Sequence, residues 1–391
     1  MDVYITFFRR EGEKLTFHNG FSFGRDEAAR KADLFFTEGC PPSRIAGWLR
    51  KLPGAERIFC SCSLLVHLKT VLPILDDRWV LGGPLVAGLL ARGVELPCTA
   101  VATSFEEYAG QDGLSCDFSY YFEPFARKQN ARYVLYNCSV GKGCYWNNCR
   151  FCHYRYYDSA YRDGGSRTRP NVAGLLAQLR CIEGCRWCSV HLCSPATPPG
   201  ALRALLGTER KAGLRFRLFL RADPPVLNTV RQFDGPVCKG KYFSIGLESF
   251  SQSIVDRIGK GTKVRDVLEL TRLIAERGGK VNLGIMDHYA FIDEQAVGES
   301  LESLEKLERL ARRFPRGRIG FYNNGITRWP VKEVLPELSD FEVRELDNGF
   351  YMRYEIVVPE DSRQFAWNRT VSQAIMNSAV PLRGRKFVSL R

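Results

Sequence analysis

Three cysteines lie within nine residues in the stretch Cys144-Tyr145-Trp146-Asn147-Asn148-Cys149-Arg150-Phe151-Cys152. An apolar run, Tyr133-Val134-Leu135-Tyr136, precedes it, and the loop Asn137-Cys138-Ser139-Val140-Gly141-Lys142-Gly143 joins the two. A strand followed by a glycine-containing loop with three close thiolates is typical of an iron–sulfur cluster held by three protein ligands. Such a cluster keeps one iron open to bind a small molecule. The sequence therefore predicts a metal centre at this loop.

A zinc site is the alternative for the same cysteines. Structural zinc takes four Cys or His ligands, commonly in two spaced pairs. His153 is available as a fourth ligand, but it directly follows Cys152, which is a poor spacing for chelation. We favour the cluster, and the zinc alternative stays open at this point.

The cysteine stretch resembles the cluster loop of the radical S-adenosylmethionine (SAM) enzymes. The usual spacing in that family is Cx3CxΦC with an aromatic Φ, and this chain has Cx4CxΦC with Phe151 at the Φ position. The resemblance implies that Cys144, Cys149 and Cys152 bind a [4Fe–4S] cluster and that Phe151 borders the cofactor. It also implies that SAM chelates the open iron and that a one-electron reductant of the flavodoxin or ferredoxin type serves the cluster.

The bulk composition is that of an ordinary globular protein. The chain has 391 residues, 45% hydrophobic and 25% charged, which is long enough for two domains. No apolar run reaches the roughly 18 residues of a membrane span, and Met1–Thr6 predicts an opening strand rather than a signal peptide. Fourteen cysteines without a secretion signal indicate reduced thiols, metal binding and a cytoplasmic location.

The net charge of +13 suits a nucleic acid, an acidic peptide or a phosphorylated substrate. No long run of Lys and Arg is interleaved with aromatic residues. We therefore favour a surface biased toward arginine over a nucleic-acid partner.

Residues 1–125 predict a small Rossmann-like α/β domain, because short strand-like runs alternate with helical or polar stretches. The runs are Val3–Phe8, Ala32–Phe36, Arg57–Cys62, Trp79–Leu81 and Thr99–Ala102. Gly82-Gly83-Pro84 follows the fourth run, and paired glycines after a strand allow a ligand to approach the backbone closely. A simple tight turn is the alternative.

This N-terminal pattern resembles the cobalamin-binding domain of the B12-dependent radical SAM subfamily. The resemblance implies that Gly82 and Gly83 lie at a corrinoid. The domain is short and has no Asp-x-His-x-x-Gly pattern, so His18 and His67 are not expected to bind cobalt. We expect a degenerate domain for which cobalamin binding stays open.

Residues 126–325 predict a partial (β/α)6 TIM-like barrel, because six strand runs alternate with amphipathic helices. The runs are Tyr133–Tyr136, Ser189–Leu192, Arg215–Leu220, Tyr242–Ile245, Val281–Met286 and Arg318–Tyr322. Residues 326–391 predict a short C-terminal extension with a strand pair at Phe341–Arg344 and Tyr351–Val358.

In parallel α/β barrels the reactive groups lie at the C-terminal ends of the strands. Arg221 ends one predicted strand, and Glu248 and Ser249 end the next. The segment Gly246–Ser251, followed by Ile258–Gly261, resembles a SAM-binding segment of the family. That resemblance implies that Glu248 and Ser249 lie near the ribose or the methionine and that Arg221 pairs with the SAM carboxylate. An ion pair between Arg221 and Glu248 is the alternative.

Further polar residues follow other strands of the predicted barrel. Cys193 and Ser194 occupy the place of the family's Gly-Gly-Glu motif, so Ser194 is a candidate SAM contact and Cys193 a candidate active-site thiol. His288 is suited to transfer a proton near neutral pH, and Tyr289 to donate a hydrogen atom. A fixed hydrogen-bonding role is the alternative for both residues.

A second set of cysteines, Cys181, Cys185 and Cys188, has the usual Cx3CxΦC spacing. It follows an amphipathic helix and precedes the strand Ser189–Leu192, which predicts a position at the N-terminal end of the barrel. Three interpretations stay open: a second iron–sulfur cluster or metal site, free thiols, or the SAM cluster itself.

The favoured function is that of a radical SAM enzyme acting on an unactivated carbon of a peptide or small natural product. The resemblance implies that SAM is cleaved to methionine and a 5′-deoxyadenosyl radical, and that methyl transfer follows if the N-terminal domain binds cobalamin. Two alternatives stay open: a tRNA-modifying methylthiotransferase-like radical SAM enzyme, and a non-enzymatic zinc or iron–sulfur protein that binds nucleic acid.

Overall fold

The computed structural model describes most of the chain, including the strands of both predicted domains. The described residues are 1–12, 14–17, 31–62, 65–90, 93–101, 133–138, 144–146, 148–151, 188–192, 196–207, 215–286, 292–323, 342–347, 352–357 and 359–383.

The N-terminal part is an α/β unit with a largely parallel sheet. Its strands are β1 (Asp2–Glu11), β2 (Lys14–Phe17), β3 (Lys31–Thr37), β4 (Arg57–Ser61), β5 (Trp79–Gly82) and β6 (Thr99–Ala100). Strand β1 pairs in parallel with β3 and β4, and β5 joins β4 to β6. The helices are α1 (Pro42–Leu49), α2 (Leu65–Val71) and α3 (Pro84–Leu90), with a 3-10 turn at Leu72–Ile74. All five predicted strands are confirmed, and β2 was not predicted.

Apolar side chains cover both faces of this sheet. On β1, Val3, Ile5 and Phe7 pack in one core with buried residues of the helices, such as Ile45 and Val71. The opposite face of the sheet holds a smaller cluster that includes Tyr4 and Phe59. Because alternate residues of a strand point to opposite faces, the near-continuous apolar runs of β1 and β4 follow from this two-sided burial.

The second part contains the six predicted barrel strands. They are β7 (Tyr133–Cys138), β8 (Cys188–Leu192), β9 (Arg215–Leu220), β10 (Lys241–Glu248), β11 (Lys280–Ile285) and β12 (Ile319–Asn323). Each pairs in parallel with the next in chain order. The helices are α4 (Pro199–Gly207), α5 (Pro224–Arg231), α6 (Gln252–Arg257), α7 (Val264–Glu276) and α8 (Glu294–Ala311). The α/β class and the partial TIM-like arrangement are confirmed.

The C-terminal extension adds to this part. Strands β13 (Glu342–Asp347) and β14 (Met352–Val357) form an antiparallel pair, and helix α9 (Arg363–Asn377) follows. Strand β15 (Leu382–Arg383) pairs in parallel with β12. Within the described ranges, no helix is both long and apolar enough to cross a membrane.

Along β10 and β11, alternate side chains face the helices and the inner side of the partial barrel. Phe243 and Ile245 on β10, and Val281 and Leu283 on β11, pack in a core with buried residues of the helices. The residues between them therefore point to the other face of the sheet, the inner side of the partial barrel.

Strand β2 connects the two parts into one hydrogen-bonded sheet. It pairs antiparallel with β1 and parallel with β7. The parallel strands of the N-terminal unit therefore run opposite to the barrel strands. As a result, the C-terminal ends of β4 and β5, with Gly82 and Gly83, lie at the opposite edge of the sheet from the C-terminal ends of β7 to β12.

Candidate active site

The cysteine loop is the stretch Cys144–Cys152. Its described residues, 144–146 and 148–151, pack against the segment that follows α6. The Arg150 backbone N–H donates to the carbonyl of Ile258 at 2.9 Å, and Arg150 Nη1 donates to the carbonyl of Arg257 at 3.1 Å. Trp146 Nε1 donates to the carbonyl of Gly259 at 3.4 Å. These contacts hold the cysteine loop near the C-terminal ends of β9 and β10.

The glycines of the Ile258–Gly261 segment make this packing possible. Gly261 has φ +70°, and a Cβ there would overlap the indole ring of Trp146. Gly259 has φ +66°, and its Cβ would lie 3.1 Å from the carbonyl oxygen of Asn148. Both positions need glycine because of backbone conformation and close approach together.

Arg221 connects the cysteine loop to the end of β9. It is only 3% exposed. Its Nε and Nη2 donate to the two carboxylate oxygens of Asp223 at 3.0 and 3.2 Å, and Nη2 also donates to the carbonyl of Lys260 at 2.7 Å. Nη1 donates to Cys149 Sγ at 3.5 Å, and the guanidinium lies 4.6 Å from the ring centroid of Trp146. Arg221 therefore contacts one of the three predicted cluster cysteines directly.

Tyr145 fixes the carboxylate that orients Arg221. Its hydroxyl donates to Asp223 Oδ2 at 2.7 Å. Partial burial and the neighbouring charge of Asp223 raise the pKa of Tyr145, so the phenol stays protonated as a donor. Tyr145 and Arg221 thus both donate hydrogen bonds to the carboxylate of Asp223 and fix its position.

A second buried ion pair lies beside the first. Lys260 Nζ is 2.7 Å from Glu248 Oε1, and both side chains are buried. Burial alone would lower the pKa of Lys260, but the charges of Glu248 and Cys149 outweigh it and raise that pKa above its ordinary value. The ammonium also lies 5.8 Å from the ring centroid of Phe151.

The backbone of Glu248 is strained. Its φ is +65°, the left-handed region that non-glycine residues rarely adopt. The pairing register with β11 shifts between Gly246 and Glu248, and the carbonyl of Glu248 accepts from Met286 N–H at 2.9 Å. A Cβ on Gly246 would lie 2.5 Å from Glu248 Oε1 and 2.6 Å from Lys260 Nζ. Strain of this kind is often found at functional sites.

The thiol of Cys149 lies between the two ion pairs. It is 7% exposed, while Cys144 is less deeply buried. Burial raises the pKa of the Cys149 thiol, whereas the positive charges of Lys260 and Arg221 act in the opposite direction. The two cations would therefore stabilise the thiolate that a metal ligand requires.

The alternative of an ion pair between Arg221 and Glu248 is wrong, because each has another partner. Arg221 pairs with Asp223, and Glu248 pairs with Lys260. The sequence analysis missed Asp223, Lys260, Tyr145 and Trp146. The available signals were an aspartate two residues after Arg221 and a lysine flanked by glycines.

The other described candidates have local roles. Ser249 Oγ accepts from the Ser251 backbone N–H at 3.1 Å, at the turn into α6. Gly83 has φ +93°, and its Cβ would lie 2.5 Å from Ser61 Oγ and 3.1 Å from the Cys62 nitrogen. The chain itself fills the space beside Gly83, which favours the tight-turn interpretation. His67 is fully buried, and its Nε2 lies 3.4 Å from Glu38 Oε1.

Several predicted residues lie outside the described ranges and stay predictions: Cys152, Cys181, Cys185, Cys193, Ser194, His288 and Tyr289. Cys188 begins β8 and pairs in register with Val134 near the start of β7, so it lies at the N-terminal edge of the barrel strands, as predicted. In the described part of the chain, no three Cys, His, Asp or Glu side chains are grouped to hold a metal ion. That part includes only two of the three predicted cluster ligands.

A family model described as the radical SAM superfamily matches residues 138–304. The match begins at the end of β7 and ends within α8, and it includes the cysteine loop and both buried ion pairs. The chain contains a radical SAM domain. The resemblance drawn from the cysteine spacing is therefore confirmed.

Solved structures of cobalamin-dependent radical SAM enzymes share the fold. OxsB with aqua-cobalamin and SAM bound aligns with a TM-score of 0.51 and 14% identity, over 78% of this chain and 52% of OxsB. TsrM, a radical SAM methyltransferase from Kitasatospora setae solved with tryptophan and a SAM analogue, aligns with a TM-score of 0.58 and 10% identity, over 90% of this chain and 83% of TsrM.

The chain thus spans about half the length of OxsB. At these identities the similarity shows the fold alone. None of the curated proteins compared with the chain matches it.

The described side chains fit the [4Fe–4S] cluster that radical SAM domains use. Clusters are bound by thiolates, and N–H groups that donate to the sulfur atoms tune them. Cys149 is a buried thiol that accepts such a hydrogen bond from Arg221.

Proposed function

We propose that this protein is a radical SAM enzyme that modifies an unactivated carbon of a peptide or small natural product. Cys144, Cys149 and Cys152 are its cluster ligands, and a flavodoxin- or ferredoxin-type protein is its reductant. The observation that carries the proposal is the buried hydrogen bond from Arg221 to Cys149, within the segment that matches the radical SAM family. When bound, the cluster and SAM supply reductive SAM cleavage and hydrogen abstraction.

Arg221 fixes one corner of the metal site in this proposal. Four of its five N–H groups are engaged by partners within the described residues: Asp223 twice, Lys260 and Cys149. One N–H on Nη1 remains for the SAM carboxylate. Arg221 would therefore position the cysteine ligand and SAM together.

Glu248 and Ser249 are the proposed contacts to the rest of SAM. Lys260 binds Oε1 of Glu248, which leaves Oε2 to accept from the ribose hydroxyls or the amino group. The strained backbone of Glu248 fixes its side chain next to Cys149. We also place Ser194, Cys193, His288 and Tyr289 around SAM and the substrate, since each follows a barrel strand.

Anaerobic assay of the purified protein tests the proposal. With SAM and a strong reductant, the protein should form 5′-deoxyadenosine and contain iron and sulfide. Cys149→Ala should abolish both, whereas Cys238→Ala, which removes a buried thiol from the core, should retain both. Zinc without iron, or no 5′-deoxyadenosine from iron-loaded protein, would show that the proposal is wrong.

Cobalamin-dependent methyl transfer is a second candidate, supported by the fold shared with OxsB and TsrM. The described N-terminal residues give it little support, because Gly83 packs against Ser61 and Cys62. Titration with hydroxocobalamin, followed by absorbance, and assay for S-adenosylhomocysteine would test it. Binding together with S-adenosylhomocysteine would establish this candidate, and the lack of both would leave radical SAM chemistry without a corrinoid.

A further inference from the structure

Two polar side chains lie on the inner side of the partial barrel, beneath the Glu248–Lys260 pair. Ser244 on β10 and Asn282 on β11 are in-register neighbours. They are 1% and 3% exposed. Their chain neighbours, such as Phe243 and Val281, pack toward the helices, so Ser244 and Asn282 point inward.

Their polar atoms have no hydrogen-bond partner within the described part of the chain. The buried atoms are Ser244 Oγ and Asn282 Oδ1, and Arg217 Nε on β9 is a third. Two other buried hydroxyls of this domain are satisfied, because Thr271 Oγ1 donates to the carbonyl of Val267 at 2.8 Å and Thr229 Oγ1 to that of Pro225 at 2.8 Å. Thr197 Oγ1 and Thr262 Oγ1, like Ser244 Oγ, have no partner within the described residues. An unsatisfied buried polar atom destabilises the folded state, so such atoms need a specific explanation.

Glycines, which have no side chain, are the neighbours of this polar pair on β11 and β12. Gly320 on β12 is in register with Asn282, and Gly284 is in register with Gly246 one layer closer to Glu248. Each layer is two residues, or roughly 7 Å, along the strand. Ser244 and Asn282 therefore lie one to two layers deeper in the barrel than the proposed SAM contacts.

The chemistry of the three atoms indicates what would satisfy them. Asn282 Oδ1 accepts an N–H, the Ser244 hydroxyl can donate to a carbonyl, and Arg217 Nε donates to a further acceptor. The Arg217 guanidinium lies 5.3 Å from the ring centroid of Tyr242, which keeps it on the inner side. Neighbouring strands are about 4.8 Å apart, so one group with adjacent N–H and C=O can reach both Ser244 and Asn282.

We propose that Ser244 and Asn282, with Arg217 one layer deeper on β9, bind a carboxamide or peptide unit of the substrate inside the barrel. The proposal rests on the function proposed above and narrows its substrate to a molecule with an amide. It predicts that Ser244 and Asn282 contribute to ligand binding and lower the stability of the unliganded protein.

Protein stability is the first measurement, made on the full-length chain with its cluster. Ser244→Ala and Asn282→Leu should each raise the Tm by about 1–3 °C, because an unsatisfied polar atom is removed from a buried position. The matched control Thr271→Val removes a satisfied buried hydroxyl and should not raise it. A lower Tm in both variants would mean that the atoms have structural partners, and would overturn the proposal.

Ligand binding is the second measurement. N-acetylglycinamide should raise the Tm of the parent protein, and this shift should be lost in Asn282→Leu. N,N-dimethylacetamide, which has a carbonyl but no N–H, should have the same small effect on both proteins. Equal shifts with N-acetylglycinamide would mean that ordered water alone occupies the site, and would overturn the proposal. Neither measurement depends on SAM cleavage, so failure here is distinct from a failure to form 5′-deoxyadenosine.

Discussion

At the end of β5, Gly83 has φ +93° and its free space is filled by Ser61 and Cys62 of the same chain. At the other edge of the sheet, Gly246 and Gly261 make room for Glu248, Lys260 and Trp146. Both edges need glycine for close approach, yet only the second surrounds a buried thiol with charged side chains. A glycine at a close approach therefore does not by itself define a site, because the approaching group decides its chemistry.

Removal of Arg221 should have the largest effect on the barrel edge. Arg221→Met leaves the buried carboxylate of Asp223 without its cation, which should cost about 3–5 kcal/mol of unfolding free energy. Denaturant unfolding measures this, and iron content measures the loss of the contact to Cys149. The control Arg272→Met removes two partly exposed surface pairs, with Glu269 and Glu276, each of which contributes at most about 1 kcal/mol. Equal losses in the two variants would argue against a special role for Arg221.

The two glycine edges can be compared directly by substitution. Gly261→Ala should cost about 2–4 kcal/mol, since it combines a left-handed backbone with overlap on Trp146. It should also lower the iron content, because Trp146 lies in the cysteine loop. Gly83→Ala should destabilise the protein through Ser61 while the iron content stays at the parent level. Iron loss in Gly83→Ala alone would reverse our assignment of the two edges.

Glu248 should affect SAM binding as well as stability, because its loss also leaves the buried Lys260 ammonium without its carboxylate. Glu248→Gln keeps the shape of the side chain but removes the charge, which should weaken SAM binding roughly tenfold, or by about 1.4 kcal/mol. Isothermal titration with SAM under anaerobic conditions measures this, with the cluster absorbance as a check of integrity. Glu276→Gln on the surface of α7 is the control. Unchanged affinity in Glu248→Gln would leave Glu248 as a purely structural partner of Lys260.

The smallest effect is expected for Glu299, whose contribution to stability should change at acidic pH. Burial alone would raise the pKa of Glu299, but hydrogen bonds from the Ser253 N–H and Ser251 Oγ outweigh it and lower that pKa to about 2. A carboxylate with a lowered pKa stabilises the fold above its unfolded pKa of about 4.3, and this contribution is lost as the pH falls toward 2. The Tm of Glu299→Gln should therefore fall less than that of the parent protein between pH 5 and about pH 3. Glu302→Gln, an exposed pair with Lys306, should behave like the parent.

The sequence was sufficient to predict the strands that define the barrel. Arg215–Leu220 and Val281–Met286 are short segments in which every second residue is apolar, and the structure places strands there with bounds that differ by at most one residue. Strand β2 was missed because Lys14–Phe17 has only four residues, too few for its polar–apolar alternation to stand out. Strand β15 has only two residues and depends on its pairing with β12.

The sequence does not show which charged residues of the site pair with each other. Arg221 could pair with Asp223 or with Glu248. It pairs with Asp223, which lies two residues further along the turn after β9. Lys260 reaches Glu248 only because the chain between Gly259 and Gly261 adopts positive φ on both sides. The same alternation that predicts Ser244 on the inner face says nothing about whether its hydroxyl has a partner.

The reversal of strand direction at β2 also decides which helix ends face each edge of the sheet. In a parallel α/β unit each helix returns antiparallel to its strands, so α1 ends at Leu49 shortly before the N-terminal end of β4 at Arg57. The C-terminal ends of the N-terminal helices therefore lie toward the same edge of the sheet as the cysteine loop. A helix C-terminus has a partial negative charge. These helix ends therefore favour cationic groups over phosphates within about one turn of them.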